Sequence, residues 1–186
     1  MSEPSVIVAK DAHGVATVAI NRPQVRNAID DTVIRSLTDA FKTLGAAGET
    51  RIVVLTGRGV AFSAGADLDW MRRMAAGSEA ENLASAKTIS AMLRALNELP
   101  KPTIARVNGA AYAAGIGLVA ACDIAVATEE AVFSISEVRI GLVPSTISPY
   151  VLAAIGARAA RRSRSGRRCR RERARTAAIS NDFRET

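Results

Sequence analysis

The stretch TIARVNGAAYAAGIGLVAACDIAVA, residues 103–127, reads as strand, small-residue turn, buried helix and strand. Thr103–Val107 is a short apolar run of strand length, the kind covered on both faces of a sheet. Residues 109–122 are apolar throughout, which falls short of the roughly 18 residues a membrane span needs, so the stretch is expected to be a buried core helix. Ile124–Ala127 returns to strand character. A strand, a helix and a second strand in this order imply an α/β domain with right-handed crossovers.

Upstream, Val6–Lys10 and Val15–Ile20 flank the turn sequence DAHG and read as a hairpin, closed by Asn21-Arg22-Pro23. From Asp30 to Leu44 the positions Val33, Ile34, Leu37, Ala40, Phe41 and Leu44 repeat every three or four residues and predict an amphipathic helix, with Asp30 and Asp31 at its N-terminal turn. Ile52–Thr56 reads as another buried strand, followed by the loop GRGVAFSAGAD. A helix carrying Trp70, Met71 and Met74 comes next, then one from Glu79 to Leu99 that Pro100 and Pro102 stop. Val132–Ser134 is a further short strand, and the sequence shows no internal repeat.

The 186 residues are 48% hydrophobic and 23% charged, a globular composition sized for one domain. The net charge of +7 is unevenly spread: residues 1–155 carry 14 Lys/Arg and 15 Asp/Glu, whereas residues 156–186 carry 11 Arg and 3 Asp/Glu. Arginine density is a phosphate-binding footprint, but the ten arginines of 158–175 have no aromatic residues between them to stack on bases, so nucleic-acid binding is not favoured. Two separated cysteines, Cys122 and Cys169, and an opening MSEPSVIVAK without a secretory pattern suggest a reducing, cytoplasmic setting, with neither a metal cluster nor a membrane partner. The single histidine, His13, sits beside Gly14 in a turn, so acid–base chemistry falls to carboxylates, Tyr or Lys.

Two stretches, AFSAGADL at 61–68 and NGAAYAAG at 108–115, each follow a buried strand and lead into a helix. Such small-residue loops let backbone N–H groups approach a ligand closely, and two of them facing one point form an oxyanion hole. The same composition also serves tight helix–sheet packing, and both readings stand. Glu137, in the largely apolar segment SISEVRIGLVP, is a candidate proton carrier whose pKa burial would raise. The alternatives are an exposed loop glutamate or an ion pair with Arg139.

Taken together, NRP at 21–23, Asn27-Ala28, AFSAGADL, VNGAAYAAGIGLVAACDIAVA and SEVRIGLVPSTISPYVLAAIGARAAR resemble the enoyl-CoA hydratase/isomerase (crotonase) superfamily over about residues 6–162. The resemblance implies the crotonase (ClpP/crotonase-like) spiral of ββα units, acting on an acyl-CoA thioester with CoA as part of the substrate and no separate cofactor. It places the two oxyanion donors at the N–H groups of Ala66 and Ala114. It puts CoA contacts at Val25, Arg26, Ala28, Ala64, Asp67 and Leu68, with Arg26 a candidate for a CoA phosphate. The segment SEVRIGLVPSTISPYV is most similar to hydratases of 3-methylglutaconyl-CoA and related branched enoyl-CoAs. Homotrimers or hexamers are the family's usual assemblies.

Of the family's two glutamates, the second matches Glu137 and the first falls on Gly117. Hydration with Glu137 acting alone or with a further, unassigned group is therefore expected, with Δ3,Δ2-enoyl-CoA isomerisation, for which the family uses one glutamate, as the alternative. The resemblance ends near Arg162, leaving a core domain at 1–162 and an Arg-rich tail at 163–186 that lacks the apolar content to fold alone. The resemblance thus carries the expectation that the Arg-rich segment replaces the family's C-terminal helical region, and the tail's composition is that expected of a GC-rich gene translated out of frame. A catalytically silent, truncated homologue is a third reading.

Overall fold

A computed structural model describes residues 3–163 and 169–170. Among these residues, strands β1 (Val6–Lys10), β2 (Val15–Ile20), β3 (Ile52–Gly57), β4 (Ala61–Ser63), β5 (Thr103–Val107), β6 (Ala110–Tyr112), β7 (Ile124–Ala127), β8 (Val132–Ser134) and β9 (Cys169–Arg170) are interspersed with helices α1 (Asp31–Ala46), α2 (Leu68–Ala75), α3 (Glu79–Asn97), α4 (Ala114–Ala120) and α5 (Ser148–Ser163). Short 3-10 turns occupy Pro23–Val25 and Glu137–Ile140.

The strands form two sheets with one logic. A larger sheet has the order β1-β2-β3-β5-β7 and a smaller one the order β4-β6-β8-β9. Only β1 and β9 run antiparallel to their neighbours. Each of the pairs β3/β4, β5/β6 and β7/β8 thus sends its first strand to the large sheet and its second to the small one, before a helix or turn returns the chain. This is the expected α/β spiral of ββα units. The repeat lives in the backbone path, and no sequence repeat accompanies it.

α1 forms where its spacing predicts. Asp30 caps it by accepting from the N–H groups of Thr32 and Val33, and Val33, Ile34, Leu37, Phe41 and Leu44 make its buried stripe. A fully buried side chain of this size contributes about 1.5–3 kcal/mol. α1 packs against α3, whose inward face is Met92, Leu93 and Leu96, and against β1 and β2. α3 begins with a capping box between Ser78 and Glu81.

Several expectations need correction. The apolar stretch 109–122 is not one helix: it holds β6, a turn and the seven-residue α4. The loop at 57–67 contains β4. Both strands are three residues long and made mostly of small residues, so neither shows the alternation that marks a strand locally. A helix that the sequence reading did not assign, α5, runs to Ser163 through the first arginines, bent at Gly156 (φ 72°), and Ala160 is buried. Most of the tail at 163–186, with its expected lack of structure, lies outside the described residues. Within it, β9 pairs with β8.

Candidate active site

Because β4, β6 and β8 are parallel neighbours, their C-terminal ends lie side by side, about 4.8 Å apart from one strand to the next. Ala66 comes three residues after β4, Ala114 two after β6 and Glu137 three after β8. The C-terminal end of the small sheet therefore leads to three of the residues singled out from sequence.

The first two loops touch. A Cβ added at Gly65 would lie 2.8 Å from Ala113 Cβ and 2.9 Å from the Tyr112 carbonyl oxygen, and one at Gly115 would lie 2.9 Å from Ser63 Cβ. Gly65 has φ +88°, a conformation that side chains disfavour, so glycine meets two demands there at once. The packing reading of the small residues is thus correct for Gly65 and Gly115, and it coexists with a second property of their neighbours. Ile29 N–H donates to the Gly65 carbonyl at 2.8 Å, and Asp67 N–H donates to the Ile29 carbonyl at 2.9 Å. These bonds form a parallel bridge between Ile29 and Ala66, in which the N–H of Ala66 itself points away from Ile29. Ala114 opens α4, where first-turn N–H groups have no partner within the helix. Among the described residues, the N–H groups of Ala66 and Ala114 donate to no protein acceptor. Ala113, just before, has φ +48° and ψ −119°, an uncommon conformation for alanine that sets the direction of the α4 start.

Residues 25–28 lie along the first of these loops, with Ala64 N–H donating to the Arg26 carbonyl at 2.9 Å. Val25 and Arg26 are exposed, Ala28 is buried, Ala64 and Asp67 are half-buried, and Leu68 is 68% exposed. Arg26 forms no ion pair among the described residues. Asp67 caps α2 by accepting from Asp69 N–H and Trp70 N–H. Burial raises its carboxyl, but the bond from Trp70 N–H and the Arg22 guanidinium outweigh that and hold it below 3.8.

Three supporting residues carried no assigned role in the sequence reading. Asn27 is fully buried at φ +57°: its Nδ2 donates to the carbonyls of Arg58 and Ala61, both at 2.8 Å, and its Oδ1 accepts from Arg22 N–H at 2.9 Å. Ser63 Oγ donates to the Asn27 carbonyl and accepts from Gly65 N–H. Arg22 reaches Asp30, Asp67 and the Ala28 carbonyl. The signal for Ser63 was a polar residue inside an apolar, small-residue stretch, whereas Asn27 stood out only as part of the Asn27-Ala28 motif.

Glu137 begins the 3-10 turn after β8 and is half-buried, so the exposed-loop alternative does not hold. Its Oε2 is fully buried with no hydrogen-bond partner. Burial raises its pKa above 4.5, opposed by a bond from its own backbone N–H. An apolar cavity of about 300 Å³ lies against its neighbours Ile135 and Val138 and is otherwise lined mainly by aliphatic residues of the following turn and of α5, with Ser148 and Arg161 as its polar members. Gly117 is closed over: a Cβ there would lie 2.4 Å from Ile147 Cγ2. The place that the resemblance gives to a first glutamate is therefore filled by a neighbouring aliphatic side chain.

Among the described residues no cluster of His, Cys, Asp and Glu is arranged to hold a metal, and no helix is long and apolar enough to cross a membrane. Cys122 is a free thiol pushed up to about 12 by burial and by Asp123.

The family model described as enoyl-CoA hydratase/isomerase matches residues 10–181. The chain is 42% identical over 147 residues to a Thermus thermophilus protein provisionally named an enoyl-CoA hydratase, covering 79% of this chain and 58% of that one. It is 36% identical over 142 residues to a hydroxycinnamoyl-CoA hydratase-lyase of Pseudomonas fluorescens, covering 75% and 51%. The solved structure of an enoyl-CoA hydratase from Shewanella pealeana superposes with a TM-score of 0.90 at 37% identity, covering 93% of this chain and 65% of that one. The chain spans about half the length of the curated relatives it matches.

Proposed function

The chain belongs to the enoyl-CoA hydratase/isomerase family, and from that premise we propose that its site adds water across the double bond of an enoyl-CoA thioester. The observation carrying this reading is that the C-terminal ends of three neighbouring strands of the small sheet lead to two N–H groups without a protein acceptor, Ala66 and Ala114, and to Glu137, whose Oε2 is buried. Val25, Arg26, Ala28, Ala64, Asp67 and Leu68 would carry the CoA portion.

In the proposed reaction the thioester oxygen accepts from the Ala66 and Ala114 N–H groups. Glu137 takes a proton from water as the water oxygen bonds to C3, and the double-bond electrons move onto the thioester oxygen. Two preorganised donors stabilise that charge, and one such donor is worth about 10²–10³ in rate. The enolate then takes the proton from Glu137 at C2, giving a 3-hydroxyacyl-CoA and restoring the carboxylate. Every step is redox-neutral.

The substrate we favour is 3-methylglutaconyl-CoA or a related branched, carboxylated enoyl-CoA, which places the reaction in leucine breakdown or a similar acyl-CoA route. The aliphatic cavity beside Glu137 suits a branched acyl group, and Arg161 on its lining suits a distal carboxylate. A family-type homo-oligomer in the cytoplasm is part of the same reading, as is a core at 1–162 with a separate tail.

A second reading has its own observation. Ile147 over Gly117 leaves Glu137 without a partner carboxylate at that place, which suits Δ3,Δ2 isomerisation, where one glutamate moves a proton from C2 to C4 of a dienolate. Incubating the purified chain with 3-methylglutaconyl-CoA and with a Δ3-enoyl-CoA, with Glu137→Gln alongside, separates the two. Loss of conjugated thioester absorbance with the first substrate, abolished in the variant, supports hydration. A gain of conjugation with the second alone supports isomerisation, and no turnover of either by a folded chain overturns both in favour of a silent homologue.

A further inference from the structure

Ile147 is 1% exposed and touches two things that matter to the site. On one side it lies over Gly117, where an added Cβ would be 2.4 Å from Ile147 Cγ2 and 3.1 Å from its Cβ, with Leu93 Cδ2 at 3.4 Å. A β-branched side chain has few rotamers to retreat to, so this contact admits no side chain at 117 while Ile147 keeps its place. On the other side Ile147 lines the aliphatic cavity together with Ile135 and Val138, the residues that bracket Glu137. Gly117 is three residues beyond Ala114 on α4, so the two share one side of the helix within about one 5.4 Å turn.

One side chain thus packs between the cavity and the Gly117 face of α4. We propose that Ile147 is a specificity-determining residue: it closes the inner end of the cavity over Gly117 and restricts the site to short acyl groups. The inference rests on the reading of the site as one for acyl-CoA thioesters. The volume agrees, since about 300 Å³ is at the small end of ligand pockets and leaves no room for the CoA moiety. Ile147→Ala removes three carbons and opens the cavity toward the glycine. Ile147→Val removes one, a change the core tolerates.

The test is calorimetric titration of butyryl-CoA, octanoyl-CoA and free CoA into the full chain, its Ile147→Val and its Ile147→Ala variants, each shown to be folded by thermal melting. One methylene in an apolar pocket discriminates by about 10-fold or more. The expected result is an octanoyl-to-butyryl affinity ratio that rises at least 10-fold in Ile147→Ala and by a smaller factor in Ile147→Val. If Ile147→Ala does not fold, the direction of the Ile147→Val change decides the matter. An unchanged ratio in the folded variants overturns the role of Ile147 alone. Wild-type affinity for both thioesters no tighter than for CoA overturns the acyl-CoA reading of the site, and the proposal with it.

Discussion

Arg22 Nη2 lies 3.2 Å from Asp67 Oδ2, joining the end of the first hairpin to the cap of α2. The same guanidinium lies 3.0 Å from Asp30 Oδ2, the cap of α1, and donates to the Ala28 carbonyl at 2.7 Å. Asp67 immediately follows Ala66, so the fork fixes the segment on which the first donor sits. Arg22→Ala is expected to destabilise the chain by about 1–3 kcal/mol in denaturant titration, because it leaves two part-buried carboxylates unmatched. It should also lower kcat more than it raises KM. Arg22→Lys keeps the charge without the fork and should recover stability better than kcat.

Gly65→Ala should push apart the two loops that carry the donors. The added Cβ meets Ala113 Cβ and the Tyr112 carbonyl in a backbone conformation with φ +88°. A loss of about 10²-fold in kcat is expected, the scale of a 1 Å misplacement, together with about 1–3 kcal/mol of stability. Adding Ala113→Gly removes one of the two clashes and should restore part of both. Steady-state kinetics and urea midpoints on the single and double variants measure this.

Glu137 links activity and stability to pH in opposite senses. Its carboxyl titrates above 4.5 when folded because of burial, so its ionisation opposes folding. The folded state binds this proton over a pH range where the unfolded chain has released it, and stability from this group falls as pH rises from 4.5 through the folded pKa. Glu137→Gln should therefore gain stability relative to wild type at pH 7 and gain nothing at pH 3. Activity should rise with pH through the same raised pKa if the carboxylate is the base, and should be absent at every pH in the variant. Paired melting curves and a pH–rate profile read both.

Arg161, on the lining of the aliphatic cavity, provides the test of a carboxylated against a plain acyl group. If its guanidinium meets the distal carboxylate of 3-methylglutaconyl-CoA, Arg161→Ala should raise KM for that substrate by about 10-fold or more while leaving KM for crotonyl-CoA within a factor of two. Charge-assisted bonds of this kind contribute roughly 1.5–3 kcal/mol when made. Equal changes for both substrates would remove Arg161 from substrate recognition.

The sequence by itself determined what depends on near neighbours. α1 was legible because a 3.6-residue period and a capping Asp30 are local properties, and β3, β5 and β7 because short apolar, β-prone runs mark strands, although the edge strand β7 leaves Ile124 and Val126 exposed rather than covered on both faces. The order of motifs around Ala66, Ala114 and Glu137 was legible as well. β4 and β6 were not, because three-residue strands of small residues acquire their identity only from the parallel partner beside them. The side-by-side placement of the strand ends that lead to the three site residues, the orientation of the Ala66 N–H away from Ile29, and the closure of Gly117 by Ile147 were decided by tertiary structure alone. Each is a contact between segments distant in sequence, and only the paths of the two sheets bring those segments together.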